Sequence, residues 1–285
     1  MTMEAADPED PRPRTAGVAG DPIAQSKSPR LFAHWFDVHG IDGHYIPLHI
    51  AAQDFRQTVR SLSAAGFRGL NVTVPHKLDA LELADARSEA AMAIGAANTL
   101  TFRRDGTIHA DNTDGYGFLN NLKAGAPDWS AASGPVAMLG AGGAARAAIH
   151  VLLQAGTPEI RLMNRTREKA EALAEHFGTG VEVIDWAKRS DALDGCGTIV
   201  NTTSLGMIGK PPLEISLDAA SPGTLVTDMV YNPLTTDLLR QANDRNLLTV
   251  DGLGMLLHQA RPGFTRWFGP DPDVTPALRE ACLAP

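Results

Sequence analysis

The part of this chain that most constrains its fold is a run of small and apolar residues from Pro135 to Leu153. An apolar segment leads directly into glycines and then into an alanine-rich amphipathic segment, which predicts a strand, a tight turn and a helix. The turn has the pattern G-x-G-x-x-A, formed by Gly140, Gly142 and Ala145. In such a unit the first glycine permits the turn, the second lets a pyrophosphate approach the backbone, and the third small residue lets helix and strand pack closely. Because free N–H groups at the helix start would face the phosphates, we predict a dinucleotide-binding unit.

The residues after the next strand indicate which dinucleotide is bound. Residues 159–163 are predicted as that strand, and an NAD site usually has Asp or Glu at its end to bind the ribose 2′-hydroxyl. Asn164 and Arg165 take this place, with Arg167 and Lys169 close behind. Guanidinium and ammonium groups hold a 2′-phosphate with charge-assisted hydrogen bonds, so we predict NADP(H). The alternative is that these cations are only the solvated first turn of a helix, although cations there oppose the helix dipole.

Strand and helix signals alternate through the rest of the chain, which predicts an α/β fold with mainly parallel sheets. The length of 285 residues suggests about two domains. Helices are predicted over 28–39, with Ser28 as N-cap, over 54–65, and from about Gly254 as the last helix. Strands are predicted at 17–19, 44–49, 69–74, 198–201 and 225–229, with a hairpin over 98–111.

Composition argues against several other classes of protein. The formal net charge of -8 argues against broad nucleic-acid binding. Cys196 and Cys282 lack metal-ligand spacing and suggest no disulfide framework, so we predict no metal site and a reduced, cytoplasmic setting. No membrane-spanning segment is expected, because charged or polar residues interrupt the longest apolar region. Residues 1–14 are polar and Pro-rich, without the apolar core of a signal peptide, and are predicted to be a disordered tail.

Several polar residues occur where a binding site could form. Ser26 and Ser28 place two hydroxyls just before a helix, although Ser28 alone is explained equally well as an N-cap. Asn71 and Thr73 alternate along a predicted strand and share one face; the alternative is a half-exposed strand with a solvated face. Lys77 emerges in the first turn that follows, where a lone lysine is usually solvated.

Two more polar groupings flank the predicted hairpin. Residues 97–99 read Ala-Asn-Thr at its start, and residues 111–115 read Asp-Asn-Thr-Asp-Gly at its end. Asp114 has a simpler interpretation as the cap of the next helix.

Taken together, these segments resemble the shikimate dehydrogenase family, and the resemblance runs from about Gly17 to Leu278. One departure is Gln25, where many members have His. The matching motifs, in order, are G-x-P-I-x-x-S-x-S-P at 20–29, N-V-T-V-P-x-K at 71–77, A-N-T at 97–99, N-T-D-G at 112–115, G-A-G-G-A at 140–144, N-R-T at 164–166, N-T-T-S-x-G-M at 201–207, D-M-V-Y-N-P at 228–233 and D-G-L-G-M-L-x-x-Q-A at 251–260.

The resemblance implies both an activity and a domain plan. The family reduces 3-dehydroshikimate to shikimate with NADPH in aromatic amino-acid biosynthesis. Its fold has a discontinuous α/β substrate domain and an inserted Rossmann-like, doubly wound nucleotide domain. Carried over, the substrate domain would cover 15–113 and 252–285, and the NADP domain 114–251. The protein would act as a monomer or a homodimer on a small-molecule substrate.

The resemblance also implies residue roles. The catalytic pair of the family falls on Lys77 and Asp114. The implied substrate contacts are Ser26, Ser28, Asn71, Thr73, Asn98, Tyr231 and Gln259, together with the catalytic pair. The implied cofactor contacts are Gly140, Ala141, Gly142, Gly143, Ala144, Asn164, Arg165, Thr166, Lys169, Thr202, Met229 and Gly252.

These roles agree with the chemistry of shikimate, which carries one carboxylate and three hydroxyls. A polyol needs many neutral donors and acceptors, which Ser, Thr, Asn, Gln and Tyr supply. The hydroxyls of Ser26 and Ser28 can hold the carboxylate without an arginine. Hydride transfer to a ketone leaves charge on oxygen, so a proton donor must be within reach, and the ammonium group of Lys77 fits that role with Asp114 orienting it.

Three other functions are weighed against this interpretation. A quinate/shikimate or aminoshikimate dehydrogenase shares most motifs, but the basic residues after the second strand argue against an NAD-preferring version. A folate-linked dehydrogenase also combines a lysine with a Rossmann domain, but the two serines and Gln259 argue against it. A non-catalytic NADP sensor would not need both Lys77 and Asp114.

Overall fold

The structure of the protein, a computed structural model, describes residues 10–284, and the chain divides into two compact units. Unit 1 ends at Thr113 and resumes at Leu256, and unit 2 runs from Asp114 to Met255. Each unit contains one six-stranded sheet with helices, which confirms the prediction of a two-domain α/β fold. The point at which the chain returns from the second unit to the first was predicted at residues 251–252. Residues 251–255 belong to unit 2 because Asn121 donates a hydrogen bond to the Asp251 carbonyl (2.7 Å) and packs against Gly254.

Strands and α-helices alternate along most of the described residues, except at the hairpin over 99–111, across residues 181–228, where three strands follow one another, and at the final pair of helices. The first part of the chain contains β1 (Thr15–Gly20), α1 (Ser28–His39), β2 (His44–His49), α2 (Phe55–Ala64), β3 (Gly69–Val72), α3 (Lys77–Leu83), β4 (Ala86–Arg87), α4 (Glu89–Ile94), β5 (Thr99–Phe102) and β6 (Ile108–Asp111). The remainder contains α5 (Asp114–Gly125), β7 (Val136–Leu139), α6 (Gly143–Gln154), β8 (Ile160–Met163), α7 (Arg167–Phe177), β9 (Val181–Ile184), β10 (Thr198–Asn201), β11 (Leu225–Asp228), α8 (Asp237–Asp244), β12 (Leu248–Val250), α9 (Leu253–Phe268) and α10 (Pro276–Leu283).

The sheet of unit 1 is mixed, with the strand order β2-β1-β3-β5-β6-β4. β1 pairs in parallel with β2 and β3, whereas β5 runs antiparallel to β3 and β6, as the predicted hairpin requires. β3 ends at Val72, before the predicted end at residue 74, because the chain then enters a turn in which His76 N donates to the Thr73 carbonyl (3.0 Å). The helix predicted as the last is followed by α10, whose first turn is capped by Thr275.

Aromatic side chains pack α1 and α9 together against the sheet of unit 1. Phe32 and Trp35 of α1 are fully buried with Phe264 and Trp267 of α9. The ring of Phe32 stacks on Tyr45 of β2, with 3.7 Å between ring centroids. Trp267 lies so close to β3 that a Cβ added at Gly69 would fall 2.0 Å from the indole nitrogen. These contacts fix β2 and β3, which carry the polar residues discussed below.

The sheet of unit 2 is entirely parallel, with the order β12-β11-β10-β7-β8-β9. Numbered from its first strand, this is the 3-2-1-4-5-6 order of the doubly wound dinucleotide-binding fold, and it confirms the predicted Rossmann-like region. Alternate residues of β7 enter opposite cores: Val136 and Met138 on the α5–α6–α7 side, Ala137 and Leu139 on the α8 side. Both faces are therefore covered, as a parallel sheet requires.

The predicted disordered tail is wrong for residues 10–14, and residues 1–9 lie outside the described part. The Arg12 guanidinium donates to the Phe102 carbonyl (2.8 Å) and pairs with Asp10 (2.7 Å). Arg68 donates to the carbonyls of Asp10 and Arg12. Arg68 therefore satisfies backbone carbonyls of this polar, Pro-rich segment and Arg12 attaches the segment to β5, contacts that local composition does not reveal.

Within residues 10–284, no group of three or more His, Cys, Asp or Glu residues could hold a metal ion. No helix of this range is long and apolar enough to cross a membrane. Cys196 and Cys282 are both free and buried.

Candidate functional site

The glycine turn after β7 is shaped by two glycines with different constraints. Gly140 has a φ of +110°, and a Cβ added there would lie 2.5 Å from the Thr202 hydroxyl oxygen. Gly142 is the N-cap of α6, and an added Cβ would meet nothing within 4 Å. Gly140 is thus required by the fold, whereas Gly142 leaves open space at the helix start. Ala145 is fully buried, as close packing of helix and strand requires.

A cavity of about 290 Å³ opens at the carboxyl ends of the strands of unit 2. It lies at the point where the strand order reverses between β7 and β10, the usual ligand position in open α/β sheets. Its walls are formed by Gly140, Ala141, Gly142, Asn164, Arg165, Thr166, Lys169, Trp186, Thr202, Thr203 and Ser204.

Asn164 links the glycine turn to the loop after β8. Its side-chain oxygen accepts a hydrogen bond from Ala141 N (3.2 Å), and its amide group donates to the Thr166 carbonyl (2.7 Å). A carboxylate at this position could accept the first bond but could not donate the second. The asparagine therefore joins the two loops without placing negative charge in the cavity.

The cations of this loop fall into two groups. Arg167 forms an ion pair with Glu171 one helical turn later (2.8 Å) and does not line the cavity. Arg165 and Lys169 line the cavity, and their side chains form no ion pair or hydrogen bond with any residue between 10 and 284. This difference fits a bound anion better than a uniformly solvated helix start. The residues present fit the 2′-phosphate of NADP, with two cations and no acidic side chain on the cavity wall.

A buried hydrogen-bond network fixes the loops after β10 and β11. Asp228 accepts hydrogen bonds from Asn201 (2.9 Å), Thr236 (2.7 Å) and the Val230 backbone (2.9 Å). Burial raises the pKa of the Asp228 carboxyl, and these hydrogen bonds oppose that shift. Asn201 in turn accepts hydrogen bonds from Thr203 N and Oγ1 (3.0 and 2.7 Å). The network holds the cavity-lining loop in one conformation.

The cavity brings together eight of the twelve residues predicted to contact the cofactor. Gly143, Ala144, Met229 and Gly252 do not line it. Gly252 has its own steric reason to be glycine, since an added Cβ would lie 2.5 Å from the Met229 carbonyl oxygen. Three lining residues were not predicted: Trp186, Thr203 and Ser204. The last two adjoin the predicted Thr202 in the N-T-T-S motif, whereas no motif pointed to Trp186.

In unit 1, predicted substrate residues belong to a buried hydrogen-bond network of amides. Asn71 accepts from the Tyr45 hydroxyl (2.7 Å) and donates to the Asn98 carbonyl (3.3 Å). The Asn98 amide group donates to Gln259 on α9 (3.1 Å), and its side-chain oxygen accepts from the Thr113 backbone (2.8 Å). Three residues that are far apart in sequence thus converge, and the side chains that these hydrogen bonds join are neutral.

The two serines take different places from those expected of helix caps. Ser28 is the first residue of α1 and is buried; the helix has no side-chain cap, so the N-cap interpretation is wrong. Burial raises the pKa of the Tyr45 phenol well above its usual value, and the Ser28 hydroxyl beside the phenol acts in the opposite direction. The Ser26 hydroxyl accepts from Ser28 N (3.3 Å). Both serines therefore adjoin the amide network through Tyr45.

The structure also locates the remaining predicted residues. Lys77 begins α3, and its carbonyl accepts from Ala97 N (2.9 Å), next to Asn98 in the chain. Thr73 lies just beyond β3 and is half-buried. In unit 2, Asp114 begins α5 and is 6% exposed, and Tyr231 follows the Asp228 network. Asp114 is therefore the first residue of the helix rather than the residue that precedes it, and its carboxylate is buried.

Comparison with known proteins gives consistent matches to one family. A family model described as "Shikimate dehydrogenase substrate binding domain" matches residues 18–100, and one described as "Shikimate / quinate 5-dehydrogenase" matches residues 126–254. The shikimate dehydrogenase (NADP(+)) of Dinoroseobacter shibae is 57% identical over 269 residues, which cover 94% of this chain and 97% of that protein.

Two solved structures illustrate the range of similar proteins. The shikimate 5-dehydrogenase of Thermus thermophilus, in complex with NADP(H) and shikimate, matches with a TM-score of 0.83 at 34% identity, covering 94% of this chain and 98% of that chain. The quinate dehydrogenase of Corynebacterium glutamicum, in complex with NAD, matches with a TM-score of 0.89 at 28% identity, covering 95% and 99%.

The two glycines of the turn should respond differently to alanine. Gly140→Ala should lower the free energy of unfolding by about 2 kcal/mol or more, because a side chain is strained at its φ and collides with Thr202. Gly142→Ala should leave unfolding nearly unchanged but weaken dinucleotide binding about tenfold, because the methyl group obstructs the close approach of a pyrophosphate. Thermal unfolding with and without NADP measures both effects. A full NADP-induced stabilisation of the Gly142→Ala protein would contradict this assignment.

Proposed function

This chain belongs to the shikimate dehydrogenase family, and from that premise we propose that it catalyses the reversible, NADP-dependent reduction of 3-dehydroshikimate to shikimate in aromatic amino-acid biosynthesis. The observation that carries the proposal is the cavity of unit 2, where the glycine turn meets Arg165 and Lys169. A redox reaction of this kind needs a dinucleotide, and this wall matches the phosphorylated one. The neutral network of unit 1 supports a polyol substrate.

We assign the substrate to unit 1 and the dinucleotide to unit 2, as the resemblance implied for 15–113 with 252–285 and for 114–251. The hydroxyls of Ser26 and Ser28 would hold the carboxylate. Asn71, Asn98 and Gln259 would bond the ring hydroxyls, and their mutual hydrogen bonds support this by fixing their orientation before substrate arrives. Thr73 and Tyr231 complete the proposed contacts.

For the cofactor, the backbone of Gly140–Ala144 would hold the pyrophosphate, with the α6 N-terminus favouring its charge. Asn164, Arg165, Thr166 and Lys169 would hold the 2′-phosphate and its ribose. When bound, NADPH supplies the hydride. The remaining proposed contacts, from the loops after β10, β11 and β12, are Thr202, Met229 and Gly252.

Lys77 and Asp114 are the proposed catalytic pair. Reduction of the ketone places negative charge on its oxygen, and the Lys77 ammonium group would stabilise that charge and deliver the proton. The Asp114 carboxylate would orient the ammonium group and accept a hydrogen bond from the neighbouring substrate hydroxyl. In the reverse direction the same lysine would take the proton back.

The setting that we propose is the cytoplasm, with the protein as a monomer or a homodimer. The free, buried thiols of Cys196 and Cys282 support a reducing compartment. The net charge of -8 argues against nucleic acid as a partner.

The similarity to a quinate dehydrogenase in complex with NAD makes quinate the main competing substrate. Steady-state kinetics with shikimate and quinate, each with NADP and NAD, should give the highest kcat/KM for shikimate with NADP. An equal or higher kcat/KM with NAD would overturn the cofactor assignment. Absence of shikimate turnover with either cofactor would overturn the activity.

Arg165 allows a direct test of the 2′-phosphate site, with Arg167 as a matched control. Arg165→Ala should raise the KM for NADP about tenfold or more, the loss expected for one charge-assisted hydrogen bond, while use of NAD changes little. Arg167→Ala should leave both unchanged, because its guanidinium is paired with Glu171. If both variants keep the wild-type preference for NADP, Arg165 is not a 2′-phosphate ligand.

Lys77→Ala should lower kcat about 10²–10⁴-fold with a smaller effect on shikimate affinity, because the ammonium group acts most strongly as charge develops on oxygen. Asp114→Asn should also lower kcat, and the double variant should be little worse than the worse single variant. The control is Lys123→Ala, which changes an exposed lysine of α5. A near-normal kcat in Lys77→Ala, measured with shikimate binding by calorimetry, would remove the proposed proton donor.

A further inference from the structure

Trp186 lines the cavity of unit 2, and the proposed function assigns it no role. It lies two residues beyond the end of β9 and lines the same cavity as Arg165, Thr166 and Lys169. Among the residues that line this cavity it is the aromatic one. An indole thus borders the cavity beside its two cations.

The ring is held in place independently of any ligand. Trp186 packs against the apolar cluster on the α8 side of the sheet, and the Arg189 guanidinium lies 5.1 Å from its ring centroid. Arg189 also donates to the Trp186 carbonyl (3.0 Å) and to the Glu214 carbonyl (2.6 Å). The preceding Asp185 caps the short turn by accepting from Ala187 N (2.8 Å). Little ordering of the indole is therefore needed when a ligand arrives.

The chemistry of the neighbours identifies which part of a dinucleotide reaches this ring. In NADP the 2′-phosphate and the adenine are attached to adjacent carbons of one ribose. If Arg165 and Lys169 hold the phosphate, the group attached beside it is the adenine, and the nicotinamide lies beyond the pyrophosphate. A purine has two flat apolar faces, and an indole offers a matching surface.

Resting on the proposed function, we propose that Trp186 is the aromatic platform of the adenine end of the cofactor site and sets affinity for the adenosine half of NADP. Trp186 acts on binding of the purine. Arg165 and Lys169 act on binding of the 2′-phosphate of the ribose. The two contributions to affinity can therefore be separated by the choice of ligand and of variant.

Calorimetric titration with 2′,5′-ADP tests this proposal on Trp186→Leu, Trp186→Phe and a matched control, Trp129→Phe. Trp129 is the other tryptophan of unit 2; it packs in the opposite core and donates to Thr198 (2.9 Å). Trp186→Leu should weaken 2′,5′-ADP about tenfold, since base–aromatic stacking has an effect of this order, and Trp186→Phe should keep most of the affinity. Trp129→Phe should bind as the wild type does. Pyrophosphate, which has no base, should bind all four proteins equally.

Tryptophan fluorescence provides a readout that does not depend on activity and remains available if the leucine variant folds poorly. Adding 2′,5′-ADP should quench emission from the wild type and Trp129→Phe but not from Trp186→Phe. Equal affinity and equal quenching in all proteins would overturn the platform while leaving the NADP site intact. Parallel loss of 2′,5′-ADP and pyrophosphate binding in Trp186→Leu would indicate a purely structural tryptophan. Failure of 2′,5′-ADP to bind the wild type would instead overturn the NADP proposal itself.

Discussion

The close approach of two loops at Gly140 is the constraint on which the cavity of unit 2 depends. The strand order reverses between β7 and β10, so the loops after these strands diverge and leave a crevice. At Gly140 these two loops still contact each other. They can do so because glycine tolerates a φ of +110° and has no Cβ to collide with the Thr202 hydroxyl. Thr202 in turn donates to the Leu139 carbonyl (2.8 Å). The glycine turn and the loop after β10 therefore form one continuous surface. Because α6 begins directly after the turn, its N-terminus lies at the cavity.

What could be predicted from the sequence was largely what local chemistry determines. The β7–α6 unit was predicted in full, because its turn, helix start and packing position each need a particular residue type within a few positions. The basic loop after β8 was also predicted, but not which cation is already paired. The spacing of Arg167 and Glu171, four residues apart on a helix, was a signal for that pair that could have been used.

The features that sequence reasoning missed depend on residues far apart in the chain. The contact of Ser28 with Tyr45, the hydrogen bonds from Arg68 to the carbonyls of Asp10 and Arg12, and the position of Trp186 each arise only after the sheets have formed. Trp186 shows the reason most clearly: β9 is an edge strand of the sheet, and only the completed strand order places its end at the same cavity as β7. No periodicity within one segment contains that information.

Under the proposed function, the two units recognise their ligands by different kinds of interaction. In an acidic chain, an anionic ligand must be attracted by local charge, and Arg165 and Lys169 would supply that charge on a cavity wall that holds no carboxylate. The amide network of unit 1 is neutral, and its members hold one another in place. Charge would attract any anion with little regard to its shape, whereas fixed neutral donors and acceptors distinguish hydroxyls by position. A charged site is thus suited to distinguish a dinucleotide that carries an extra phosphate from one that does not. A neutral network is suited to distinguish polyols that differ in the placement of their hydroxyls.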